Sequence, residues 1–521
     1  MNNKHIKSIA TLMLGAGLLF GSVGCTDKFE DFNTDPKAPT PEQMEGDFSA
    51  TATLLNTMMP ALVLGQENEF QMIDQMVGCE FGHMTAAKNQ WGSNAYFGTY
   101  NPPIGWIGNT FDTMMPKMYT QFFQIRRISG EDNLVFHWAN LIRIAGTLRV
   151  SDAYGPTPFS MIGTGTEYKV AYDDMPDLFN AMFDELDKSI EGLKKGIGGD
   201  GAKVFGTADF IYGGDVTKWV KFANTIKLRI AMRLVNVNPT LAQQKAEEAV
   251  NDNVGVITDP ADGAWSSFLP GTNSLRKTNF TWNEGRMSAD MSSYLNGYSD
   301  PRLPLYGMAL ADGSVNGLRH GLWKKELSPQ HDDYSCPLAE EQSKLLCLSA
   351  SEAWFARAEG ALRGWNMGGT AKELYERGIE VSMQERGASI GSYLTSEATP
   401  ADYVDPNDAS NNIAAVSTIC PKYDESASFE TNLERIMVQK WIGNFPNGWE
   451  SWADFRRTGY PKWFPVVENR STDGCTDARG MRRLPFPNSE FNTNAENVRA
   501  AVQMLGGPDN SATDLWWAKK D

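Results

Sequence analysis

Apolar positions recur at three- and four-residue spacing over several long stretches, which is the signature of amphipathic helices. From Leu134 to Asp152 the stripe is Trp138, Leu141, Ile142, Ala145 and Leu148. Asp173, Asp174 and Pro176 mark a helix start, because proline in a first turn loses no hydrogen bond. Leu178, Phe179, Met182, Phe183, Leu186, Ile190 and Leu193 then carry the stripe. Val216 to Leu234 repeats it through Trp219, Phe222, Ala223, Ile226 and Ile230, and Pro239–Thr240 opens a shorter helix ending near Asn251. Lys344 to Arg363 reads as one helix through Leu345, Leu346, Ala350, Ala353, Trp354, Ala358, Ala361 and Leu362. A turn follows over Gly364–Gly369. Thr370 and Glu373 then have capping-box spacing ahead of a helix with Leu374, Gly378, Ile379 and Met383.

Two amphipathic helices of this length, with small residues where they would cross, resemble a tetratricopeptide-type unit. Such pairs bury their apolar faces only by stacking on one another. The expected fold class is therefore mostly α: a tetratricopeptide-like helix-pair scaffold with long irregular loop insertions forming the ligand face. Those loops are residues 80–116, 255–335, 387–432 and 462–521, rich in Gly, Asn, Pro, Ser and aromatics and poor in periodicity. Long loops on a rigid scaffold are where binding residues concentrate.

The first loop sets Trp91, Tyr96, Phe97, Tyr100 and Trp106 among asparagines and glycines. A second cluster holds Trp265, Phe268, Phe280 and Trp282, and Trp323 stands alone in a third. Flat rings beside hydrogen-bonding groups suit a sugar, whose C–H faces stack while its hydroxyls pair. The same rings also serve as plugs that pack a loop onto helices. The expected ligand contacts are Trp91, Tyr96, Tyr100, Trp265, Trp282 and Trp323, converging on one face.

The N-terminus changes the picture most. Lys4 and Lys7 precede an apolar run, Ile9–Phe20, of signal-peptide length, which ends in Ser22-Val23-Gly24-Cys25. Small residues before a cysteine mark a lipoprotein signal, although Ser22 stands where leucine is commoner. Residues 1–24 are read as the signal peptide and Cys25 as the lipid attachment. Residues 25–41, acidic and then proline-rich, make a flexible tether, and 42–521 a single helical binding domain. The five remaining cysteines (Cys79, Cys336, Cys347, Cys420 and Cys475) have no C-x-x-C spacing and imply no disulfide framework. A net charge of −17 disfavours nucleic acid and points to neutral ligands or another protein.

Catalytic signals are weak. Gly387-Ala388-Ser389-Ile390-Gly391 matches the nucleophile-elbow pattern but follows a helix, where the elbow must follow a strand. It reads as a helix stop. His83, His137, His320 and His331 show no metal-ligand spacing. His331-Asp332-Asp333 reads as a solvated acidic turn rather than a cation site. No pair of carboxylates stands out for glycoside hydrolysis. The chain is expected to bind rather than to catalyse, with no cofactor and no metal.

Several stretches together resemble the SusD/RagB family of outer-membrane nutrient-binding lipoproteins, nearer its SusD-like subgroup. They are Ser151–Ser160 (SDAYGPTPFS), Lys221–Arg233 (KFANTIKLRIAMR), Asp300–Leu303 (DPRL), Arg357-Ala358-Glu359 with Tyr375–Ile379, Gln439–Ile442, Trp449–Pro461 (WESWADFRRTGYP), and Arg482–Pro487 with Glu490 and Asn494. They run in family order over nearly the whole mature chain. The resemblance implies a cell-surface lipoprotein on the outer membrane that captures an oligosaccharide and passes it to a SusC-like TonB-dependent transporter. The acidic residues after Cys25 resemble the signal that sends such lipoproteins to the outer face. Some relatives look adapted to peptides, so a peptide-binding subunit is the first alternative and a surface glycosidase the second. Arg456, Arg457, Arg482 and Arg483 are expected to fix loops to the scaffold through carboxylates rather than to touch ligand.

Overall fold

Helix α1 (Asn109–Ser129) packs on α2 (Leu134–Tyr154), α2 on α3 (Met175–Lys194), α3 on α4 (Val216–Arg233), and α4 on α5 (Pro239–Val250). This computed structural model describes residues 49–88, 96–164, 169–205, 208–267, 271–322 and 330–519. Contacts divide the chain after Ala50, and the unit Thr51–Asp521 is the one described below. Cys25 and the tether lie outside the described residues. After α6 (Ala289–Gly297), α7 (Ala350–Leu362) packs on α8 (Ala371–Arg386), and both pack on α9 (Phe429–Gly443). Contacts between α4 and α7 join the two sets. Helices α10 (Gly448–Thr458) and α11 (Ala495–Met504) follow. The helix-pair scaffold is the one the periodicity predicts.

Local chemistry explains the boundaries. Asp174 caps α3 by accepting from the Met175 amide, and each apolar stripe residue from Leu178 to Leu193 is buried. Thr370 and Glu373 form the full capping box of α8, which ends at Gly387 in the left-handed conformation, φ +71°. The apparent nucleophile elbow is thus a helix stop. Gly378 lets α8 approach α7: a Cβ there would lie 2.7 Å from the Phe355 ring.

Two readings change. The stretch from Lys344 is not one helix. Leu345–Leu348 is strand β4, paired antiparallel with β2 (Ala264–Ser266), and α7 begins only at Ala350. Ser349 caps it, and the Glu385 carboxylate accepts from the Ala350 amide at 2.8 Å and the Ser349 hydroxyl at 2.6 Å. A short apolar run has no decisive period, so a partner strand and a cap decide its state. Likewise Asn109–Pro116, read as loop, forms the first turns of α1 in spite of Pro116. The remaining loops carry little regular structure. An antiparallel pair, β1 (Thr85–Ala87) with β3 (Gly285–Met287), brings two of them together.

The scaffold core contains charge. Arg233 lies between Asp152, 3.0 Å away, and Glu450, 2.6 Å away. Lys440 bridges Glu450 at 2.7 Å and Asp454 at 2.8 Å. Arg457 joins Asp454 at 2.8 Å to Glu359 at 2.6 Å. Arg229 pairs with Glu352 at 2.7 Å. These groups, all buried except the partly exposed Arg229, tie α2, α4, α7, α9 and α10 into one ionic lattice. Arg482 and Arg483 pair with Asp514 and Asp509, both at 2.6 Å, as expected of loop anchors. Arg456 works differently: it donates to the Asp152 and Arg482 carbonyls and lies 3.7 Å over the Trp452 ring.

Candidate functional site

Where β1 meets β3, a groove of about 380 Å³ opens to solvent. It is built on two π-helical segments, Phe70–Cys79 and Lys277–Thr281. Beneath it Asn279 donates to Gln75 at 2.8 Å, and Gln75 donates to Thr85 at 2.7 Å, so the two segments and β1 are locked by buried amides. Gly285 is required there, since a Cβ would fall 2.2 Å from the Asn279 side-chain oxygen. A π turn is a device common at functional sites. Here it presents Phe280, which is 45% exposed. The Arg276 guanidinium lies 4.5 Å from the Phe280 ring centroid and fixes one face of the ring.

Polar groups line the rest. Asn283, at φ +61°, holds a left-handed conformation that asparagine tolerates better than most residues. Its side-chain oxygen accepts from Arg286 at 2.5 Å. Arg286 also donates to Asp332 at 3.2 Å and to the Gly285 carbonyl at 2.9 Å. Asp332 is 80% exposed, and the Lys88 ammonium lies 3.9 Å from it. Burial, then Arg286, hold the Lys88 pKa below its ordinary value, with Asp332 opposing. Tyr334, Ser335, Cys336 and Met308–Leu310 complete the walls. A small satellite core (Ala86, Leu318, Leu322 and Tyr334) supports this end of the molecule. The arrangement offers one exposed ring face beside an amide, a guanidinium and a carboxylate.

A second, more aromatic cavity of about 260 Å³ is lined by Phe81, His83, Tyr100, Trp452, Phe455 and Trp463 among others. The expected ligand residues fall in different places. Trp282 is half-buried and directly precedes Asn283 of the groove. Tyr100 lines the aromatic cavity and is buried. Tyr96 is only 2% exposed, with its hydroxyl donated to the Ala87 carbonyl, so it packs the loop down rather than facing outward. Trp265 sits in β2 under the Arg386 guanidinium, 4.8 Å away, and lines neither cavity. Trp91 and Trp323 lie outside the described residues. The four that fall within the described residues do not converge on one face.

Asn283, Arg286 and Tyr334 carry no periodic or motif signal and were not singled out by sequence. Asp332 was, as a solvated turn, and it proves exposed but paired with Arg286. The five cysteines are free thiols, with Cys79, Cys347 and Cys475 buried. No helix of the described residues is long and apolar enough to cross a membrane.

A stacked helix-pair scaffold with an open, mixed aromatic and polar groove defines a ligand-binding class of architecture. Comparison with known proteins makes this specific. Residues 31–518 match the family described as SusD-like, Susd and RagB outer membrane lipoprotein, and the chain belongs to that family. A SusD-like protein from Bacteroides thetaiotaomicron is 37% identical, with a TM-score of 0.85 over 90% of this chain and 99% of that one. A chitin-binding SusD homologue from Flavobacterium johnsoniae is 35% identical, with a TM-score of 0.85 over 92% of this chain and 99% of that one. A SusD homologue from Bacteroides ovatus is 36% identical, also at 0.85, over 91% and 100%. No curated protein sequence matches the chain.

Proposed function

We propose that this chain is a cell-surface lipoprotein that captures an oligosaccharide in the groove and delivers it to a SusC-like TonB-dependent transporter in the outer membrane. The observation that carries the reading is the exposed Phe280 ring, braced by Arg276 and flanked by Asn283, Arg286 and Asp332. A sugar ring stacks on such a face while its hydroxyls bond the amide and charged groups. The chitin-binding relative supports the ligand class. Binding without cleavage is favoured because glycoside hydrolysis uses two carboxylates flanking one bond. Asp332 is the single carboxylate among the described groove residues.

In this reading Cys25 carries the lipid, residues 25–41 are the tether, and 42–521 the binding domain. The tether keeps the domain near its transporter and raises its effective concentration there. Of the six expected rings, Trp91, Tyr96, Tyr100, Trp265, Trp282 and Trp323, we take Trp282, nearest in sequence to the groove, as the one to mutate beside Phe280. The test is retention of glycans and of peptide pools by the purified chain. Glycan retained and recovered intact is the expected result. Peptide retained instead moves the reading to a peptide importer, and cleaved glycan moves it to a glycosidase.

A further inference from the structure

Three residues that no sequence spacing connects meet beside the aromatic cavity. His83 lies in the turn before β1, Asp290 in the first turn of α6, and His320 in the segment that follows the satellite core residue Leu318. The Asp290 Oδ2 atom is 2.9 Å from His83 Nδ1 and 3.5 Å from His320 Nδ1. One ligand atom from each residue falls within 4.8 Å of the others, and all three side chains are buried.

The hydrogen bonds around His320 are incomplete. Its Nε2 lies 3.1 Å from the Thr85 carbonyl, which only accepts, and 4.0 Å from Glu80 Oε1. That nitrogen must therefore carry a proton. In the neutral ring the Nδ1 lone pair then faces the Asp290 carboxylate, and this buried Nδ1 makes no hydrogen bond. An unprotonated Nδ1 facing a carboxylate in a dry site needs a cation between them, a place that either a second ring proton or a metal ion fills. A metal ion there would replace the proton of the 2.9 Å His83–Asp290 hydrogen bond and meet both imidazoles and the carboxylate at once.

The surroundings are those of a held ligand set. A histidine that binds metal through one nitrogen commonly donates from the other to a carbonyl or carboxylate, as His320 does toward the Thr85 carbonyl. His83 has φ +50°, a conformation that non-glycine residues rarely adopt, and its ring stacks on Trp463 at 4.2 Å. The His83 and His320 rings lie 4.1 Å apart. The second Asp290 oxygen accepts from the Phe464 amide at 2.5 Å, which fixes the carboxylate. His83 also borders the aromatic cavity, which gives an ion a path to the cluster.

We propose that His83, Asp290 and His320 form a binding site for one divalent transition-metal cation of the zinc type, two imidazoles and a carboxylate being a donor set that such ions accept. The ion would clamp the turn before β1, the start of α6 and the segment around His320, three stretches that meet beside the aromatic cavity.

The test uses the purified full-length chain, stripped with a chelator and then titrated with Co2+ and with Zn2+. Metal per chain is measured by mass spectrometry, and Co2+ coordination by visible absorption. The expected result is one Co2+ per chain, displaced by Zn2+. Uptake should be lost in D290N and H320Q and kept in H137Q. Because buried variants can fail to fold, 15N spectra of the wild-type histidine rings are recorded in parallel. There the His83 and His320 rings should shift on adding Zn2+ while His137 stays. A folded wild-type chain that takes up no Co2+, or binds metal without moving those two rings, would overturn the proposal and leave a proton-sharing triad.

Discussion

Arg233 and Arg286 are both buried, yet their partner carboxylates sit in opposite surroundings. Arg233, enclosed by α2, α4 and α10, divides its guanidinium between Asp152 and Glu450, and nothing of the group is left for a ligand. Arg286 pairs with a carboxylate that is 80% exposed and borders an open groove. The inner lattice shares each charge among several partners: Glu450 alone contacts Arg233, Lys440 and Arg229. The groove instead leaves a ring face and a carboxylate uncovered. Exposure of the partner carboxylate, not residue type, separates the charges that hold the scaffold from those that border the groove.

That contrast makes its strongest statement about Glu450. Burial pushes its pKa up, but Arg233, then Lys440 and Arg229, hold it well below the ordinary range. Removing it strands buried cations, so Glu450→Ala should cost about 3–5 kcal/mol in urea unfolding, the scale for breaking a buried pair. A cost under ~1 kcal/mol would show the lattice to be dispensable, by the same scale.

Glu359 sharpens the comparison through pH. Burial raises its pKa, but Arg457 and then Arg363 bring it down from 4.5 to about 2. The unfolded chain therefore takes up this proton near 4.5 and the folded chain only near 2. Stability from this pair is complete above the upper value and falls as pH drops through the window, by about 3 kcal/mol in all. Glu359→Gln should flatten that part of the acid-unfolding curve. An unchanged slope would remove Glu359 from the account.

Groove substitutions should behave the other way round. Phe280→Ala is expected to weaken oligosaccharide binding by about 1–2 kcal/mol, the range for an aromatic contact. Thermal unfolding should stay within about 0.5 kcal/mol, as for surface positions. Asp332→Asn should move stability by no more than about 1 kcal/mol, since the carboxylate is exposed although its partners Arg286 and Lys88 are buried. A large stability loss in either variant would mean the groove is scaffold after all.

Much of the scaffold is legible in the sequence because helical faces advertise their burial. Leu178 to Leu193 and the Thr370–Glu373 box are local signals, and both hold in the structure. Leu345–Leu348 misleads, because its strand state depends on Ala264–Ser266 some eighty positions earlier and on a cap from Glu385. The site is less legible for the same reason. Phe280 stands out as an aromatic in a loop, but its exposure follows from a π turn locked to Gln75. Asn283, Arg286 and Asp332 become neighbours only through the pairing of β1 with β3 and the return of the chain near Tyr334. Tyr96 shows the converse: its composition fits a sugar platform, yet its hydroxyl is committed to Ala87.

The central claim is that ligand affinity resides in the groove while stability resides in the lattice. Isothermal titration of a panel of soluble oligosaccharides, chitin fragments included, into the wild-type chain and the Phe280→Ala, Trp282→Ala double variant tests it most directly. The account predicts saturable binding of at least one glycan, returned intact, and at least a tenfold loss in the double variant at unchanged melting temperature. Glycan affinity that survives the double variant undiminished would contradict it.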